Sequence, residues 1–62
     1  MRHAEFESFC QKVQSGQEAH VKHIVTHKIG KILSCHPEDY EFEVDVNGEH
    51  KTWIAENCKA ED

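Results

Sequence analysis

The chain has 62 residues, a length that allows one domain and lies near the lower limit for a self-sufficient core. Twelve acidic against seven basic residues give a net charge of -5, and no Lys/Arg block offers a phosphate-neutralising footprint, so direct DNA or RNA binding is disfavoured. No apolar run approaches a membrane span and the first residues lack the order of a signal peptide, so a soluble, cytoplasmic protein with no membrane attachment is expected.

The first segment, "HAEFESFCQKVQSG", places Phe6, Phe9, Cys10 and Val13 at i, i+3, i+4 and i+7, which predicts a helix over 3–14 with one apolar stripe. Glu5 and Glu7 near its start and Lys12 near its end suit the helix dipole, and Ser15-Gly16 supplies the stop. Such a short helix is marginal alone and must press Phe6 and Phe9 onto the rest of the chain.

From Ala19 the composition turns to Val, Ile and Thr, whose branched side chains suit a pleated surface. Strands are predicted around Glu18–Ile24 and Ile29–Cys35, joined by a loop through Thr26-His27-Lys28, with Gly30 marking a bend or a close backbone approach. Pro37 in His36-Pro37-Glu38-Asp39 fits the second position of a type I turn.

Beyond that turn, Tyr40, Phe42, Val44 and Val46 alternate with Glu41, Glu43 and Asp45, the pattern of a half-buried strand with one acidic face. Asn47-Gly48 is a strong type I′ hairpin signal. A two-residue turn pairs Val46 with Glu49, Val44 with Lys51 and Phe42 with Trp53 on one face, and Asp45 with His50 on the other. A short turn at Ala55–Asn57 and a brief strand near Cys58 complete a single domain over 1–62, with the sheet spanning 18–60.

Cys10, Cys35 and Cys58 are widely spaced, odd in number and contain no C-x-x-C, which reads as buried reduced thiols rather than a disulfide framework. Six histidines make charge sensitive to mild acid, because protonating all of them adds six charges to a net of -5.

The segments "VKHIVTHKIGKIL" and "YEFEVDVNGEHKTWIAENC" together resemble the strand pattern of SH3-like small β-barrels, the Tudor-like and related bacterial modules among them. The resemblance covers roughly Glu18 to Lys59 and implies a mostly β (α+β) fold, a short N-terminal helix followed by a five-stranded antiparallel barrel. It also implies a binding role toward peptides, methylated side chains, nucleic acids or enzyme partners. The aromatic cage of methyl-lysine readers is not carried over, since Phe42 and Trp53 are assigned to the core.

No nucleophile elbow or Gly-rich phosphate loop occurs, and so small a core leaves little room for a deep pocket, so the expectation is a non-enzymatic protein. The leading reading is an interaction or regulatory module for a protein partner with a basic surface. Its contact candidates are Glu38, Asp39, Glu41, Glu43 and Asp45, with His27 and His36 in the neighbouring loops. The rival reading is a zinc-binding protein, from the H-x-x-H-x-x-x-H run of His20, His23 and His27 with Cys35 and Cys58. Against it, β-branched neighbours argue for a strand, on which His20 and His23 point to opposite faces. A third reading is an acidic inhibitor that mimics nucleic acid, and no cofactor other than zinc is suggested.

Overall fold

A computed structural model describes residues 1–61. One helix, α1 (His3–Gln14), precedes five strands: β1 (His20–His23), β2 (Ile29–His36), β3 (Glu41–Val46), β4 (Glu49–Ile54) and β5 (Cys58–Ala60). A 3-10 turn at Ala55–Asn57 links the last two. The strands form one antiparallel sheet in the order β4-β3-β2-β1-β5, with β4 and β5 at its edges. Its register slips between Ile32 and Ser34, and the irregularity lies in β2, the central strand. The molecule is nearly isotropic, 24 × 23 × 22 Å, and its 4148 Å² of accessible surface is close to the ~4,100 Å² expected of a folded monomer of this mass.

Local chemistry accounts for the boundaries. The Arg2 N–H donates to Glu5 Oε1 at 3.4 Å, satisfying one orphan amide before α1. At its other end the Gln17 N–H reaches Lys12 O (2.9 Å) and the Gly16 N–H reaches Val13 O (3.1 Å), a Schellman termination with Gly16 at φ +86°. Asn47 (φ 53°) and Gly48 (φ 87°) both occupy the left-handed region that the β3–β4 turn requires. Val46–Glu49, Asp45–His50, Val44–Lys51 and Phe42–Trp53 then pair as that turn dictates.

The His36–Asp39 turn closes through the Asp39 N–H to His36 O (3.1 Å), and a second turn follows through the Tyr40 N–H to Pro37 O (3.3 Å). Tyr40 therefore stands at φ 54° outside the strand instead of continuing its alternation, and β3 begins at Glu41. Left-handed backbone is unusual for a bulky residue. Here the Tyr40 hydroxyl donates to Met1 O, and the Tyr40 carbonyl accepts from the Ala55 N–H at 2.8 Å.

Phe42, Val44 and Val21 are fully buried on the inner face, where Phe6 tilts against Phe42 at 4.9 Å and Phe9 meets it edge-on at 6.4 Å. Trp53 and Ile32 complete the centre. Gly30 sits beneath them: a Cβ there would lie 2.9 Å from both Trp53 Cζ3 and Val44 Cβ, so the close approach expected at this glycine is real.

The cysteine expectation needs correction. Cys10 and Cys35 are joined in a disulfide with their Cα atoms 5.8 Å apart, because the apolar stripe of α1 carries Cys10 onto the inward side of β2. Only Cys58 remains a free thiol, and it is buried. Spacing along the chain conceals this pairing, since the two are separated by 25 positions and meet only after the helix docks.

Candidate functional site

The outer sheet face, opposite the side that α1 covers, carries the acidic row. Glu41, Glu43 and Asp45 are each half-buried there rather than freely solvated. On β2 they face His36, Ser34 and Lys31, and on β4 they face Ile54, Thr52 and His50. Three of these six neighbours can carry positive charge, His36 and Lys31 on β2 and His50 on β4.

Glu43 is the centre of this arrangement. Its Oε2 pairs with Nε2 of His36 and its Oε1 lies 2.6 Å from Nε2 of His50. His50 stands opposite Asp45, so it reaches Glu43 along the strand diagonal, a distance a long side chain spans. The hydrogen bond from His36 holds the Glu43 carboxyl below its ordinary range, with His50 adding to the effect and partial desolvation opposing it. Reciprocally, the hydrogen bond to Glu43 raises the His36 pKa, with support from the charges of Glu38 and Glu41. Glu38 approaches the other ring nitrogen of His36 at 3.8 Å. One further acceptor is notable: Asp45 Oδ1 is buried without a hydrogen-bond partner, although Lys31 and His50 stand across from it on either side.

Of the residues singled out from sequence, the fold brings Glu38, Glu41, Glu43, Asp45 and His36 to this face and its adjoining turn, where Asp39 is exposed. It separates His27, which precedes β2 in the β1–β2 loop at φ 61°, whereas His36 ends that eight-residue strand. Sequence reasoning missed His50 as a member. The hairpin register named its neighbour Asp45 but could not give the diagonal reach to Glu43.

Exposed Ile29, Leu33 and Ile54 border the charged groups, so the face mixes apolar and ionic contacts. Ile54 lies opposite Glu41, and Leu33 sits at the register slip of β2.

The histidines and cysteines of the zinc reading are dispersed. His20 lies opposite Lys31 with its Nε2 3.7 Å from Glu18. His23 turns its Nδ1 to the N–H groups of Val25 (3.2 Å) and Thr26 (3.3 Å), and its ring meets Trp53 edge-on at 5.0 Å. Cys35 is withdrawn as a thiolate ligand by its bond to Cys10. Burial pushes the Cys58 thiol up to about 11, and its S–H donates to Ile54 O at 3.5 Å, so it is kept protonated. Among the described residues no group of three or more His, Cys, Asp or Glu side chains is placed to hold a metal ion, and no helix is long and apolar enough to cross a membrane. No family model, curated protein or solved structure matches this chain.

Proposed function

We propose that the protein is a non-enzymatic interaction module whose outer sheet face docks onto a partner with a basic surface. The observation that carries this reading is the row Glu41, Glu43 and Asp45, continued by Glu38 in the turn and bordered by exposed Ile29, Leu33 and Ile54. Apolar contacts supply affinity at such a face while the carboxylates speed encounter and fix orientation.

An SH3-like identity for the sheet belongs to the same proposal. Its support is the strand order, the 3-10 turn before β5 and the pairing of β5 with β1. The two histidines bound to Glu43 weigh against a nucleic-acid mimic, which needs carboxylates presented freely in the manner of phosphates. The expected cytoplasmic location follows from the lack of an apolar span and of a signal-peptide pattern, and reduced thiols would accord with it. A Cys10–Cys35 disulfide favours an oxidising compartment, or a cytoplasmic protein whose disulfide is transient.

Glu38 and Glu41 are the residues to reverse, because Glu43 is tied into the sheet by two histidines and its loss would confound binding with folding. Capture from source-cell lysate with the wild-type chain and with Glu38→Lys/Glu41→Lys in parallel tests the proposal. A partner held in near-stoichiometric amount by the wild type and lost by the double variant, but kept by Glu49→Lys in the β4 edge, supports the face. Equal capture by all three overturns it.

A further inference from the structure

Carboxylates are not the only ionisable groups on the outer face. His36 at the end of β2 and His50 in β4 flank the row from either side, with Glu43 of β3 between them. Nε2 of His36 pairs with Oε2 of Glu43 and Nε2 of His50 lies 2.6 Å from Oε1, so both oxygens of the central carboxylate are engaged by imidazoles. Both side chains are more open to solvent than the one they hold, 36% and 60% exposed against 27%, so water can deliver a proton to either.

The remaining charges around the two rings do not change in mild acid. His36 faces Glu41 across the β2–β3 ladder, has Glu38 at 3.8 Å from its Nδ1, and shares its turn with exposed Asp39. On its other side β1 pairs with β2 only through Ile29, Gly30 and Lys31, short of His36. His50 faces Asp45, whose neighbour on β2 is Lys31, and β4 is the sheet edge with no strand beyond it. Between about pH 5.5 and about pH 7.5 carboxylates of ordinary or lowered pKa stay ionised and lysines stay charged, which leaves imidazole as the group that titrates. Protonating His36 and His50 sets two positive charges among the carboxylates of Glu38, Glu41, Glu43 and Asp45, cancelling half of their charge at the centre of the row.

We propose that His36 and His50 form a proton gate on this face: while both are neutral the row attracts a cationic partner, and once both are protonated the row is compensated from within the chain and the partner is released. This gate rests on the docking proposed for the outer face and specifies its regulation. The hydrogen bond to Glu43 raises the His36 pKa from its ordinary 6.5, so release begins on the alkaline side of that value. Linkage makes the effect reciprocal, and a bound cation lowers the proton affinity of both rings.

The test is an amide-resolved NMR titration of the intact, oxidised chain with capped hexalysine in dilute buffer at about pH 7.5 and about pH 5.5, between which the probe keeps its charge. Saturable shifts in β3 and β4 are expected at the higher pH, with affinity roughly tenfold or more weaker at the lower. His36→Gln/His50→Gln should bind equally at both, close to the higher-pH affinity of the wild type, because a glutamine amide still donates to Glu43 but takes up no proton. His50→Gln alone alters one exposed edge position and should keep part of the pH response, which preserves the comparison if the double variant is unstable. A second readout is the imidazole ring signals: hexalysine should move the titrations of His36 and His50 to lower pH and leave those of His3, His23 and His27 in place. Shifts on the face with equal wild-type affinity at the two pH values overturn the gate and leave the docking proposal standing. A double variant that weakens in acid as much as the wild type does the same, since His20 beside Glu18 and the other histidines are unchanged in it. Absence of shifts in β3 and β4 at the higher pH overturns the docking proposal and the gate with it.

Discussion

At the scale of single residues, Gly30 and Glu43 are each fixed by close neighbours, one steric and one ionic. Any side chain at Gly30 meets Trp53 and the Cβ of Val44 at 2.9 Å, and neither belongs to a flexible terminus that could swing aside. Gly30→Ala is therefore expected to cost about 1–3 kcal/mol, the range for overpacking a tight core, read as a lower urea midpoint at unchanged slope. Glu43 gives a prediction in pH. His36 has a raised pKa, so its contribution to stability is complete below its ordinary 6.5 and is lost as pH climbs through the raised value. Glu43 has a lowered pKa, so its contribution is complete above its ordinary 4.5 and is lost as pH falls through the lowered value. The pair thus stabilises most between 4.5 and 6.5. Melting temperature against pH should show wild type exceeding Glu43→Gln most in that interval, with the difference shrinking on both sides; a constant offset across pH would show that the histidines do not couple to Glu43.

Among the elements, the β3–β4 hairpin and α1 illustrate what a sequence discloses. Asn47-Gly48 and the strict alternation from Phe42 to Val46 leave one register open, because a slip by one residue would turn Phe42 and Val44 to water, and the pairing read from sequence is the pairing found. The span of α1 was equally legible from its apolar stripe and from Ser15-Gly16. Two kinds of information were not. Tyr40 belongs by alternation to the strand, yet the second turn places it in left-handed backbone, a conformation fixed by tertiary bonds to Met1 and Ala55. The Cys10–Cys35 bond likewise depends on how the helix docks. That bond closes a 25-residue separation, and its removal is expected to lower stability by about 3 kcal/mol through the freedom it returns to the unfolded chain. Alkylation under denaturing conditions should modify Cys58 alone before reduction and all three cysteines after it. Modification of three before reduction would show the disulfide unformed, and the urea midpoint would then be indifferent to reductant.

For the molecule as a whole, the placement of charge matters more than its sum. The acidic row was legible in sequence as a strand face, but its half-burial and its two histidine partners were not, because they come from the diagonal packing of three strands. The outcome is a face whose central carboxylate, Glu43, is held by two histidines, which would lower the side-chain entropy that it loses if a partner binds there. The net charge of -5 should then act chiefly on encounter. Raising salt from about 0.05 to about 0.5 M, which shortens the screening length well below the width of the face, is expected to slow association with a basic partner by roughly tenfold or more. Dissociation should change far less, since in the proposed docking mode the exposed Ile29, Leu33 and Ile54 would hold the bound state through apolar contact. Truncating Leu33→Ala or Ile54→Ala should reverse the pattern, accelerating dissociation while leaving the association rate and its salt slope intact. Surface plasmon resonance with the captured partner separates the two rates directly. A salt response located in dissociation, or apolar truncations that leave residence time unchanged, would mean that the partner grips the molecule elsewhere than on this face.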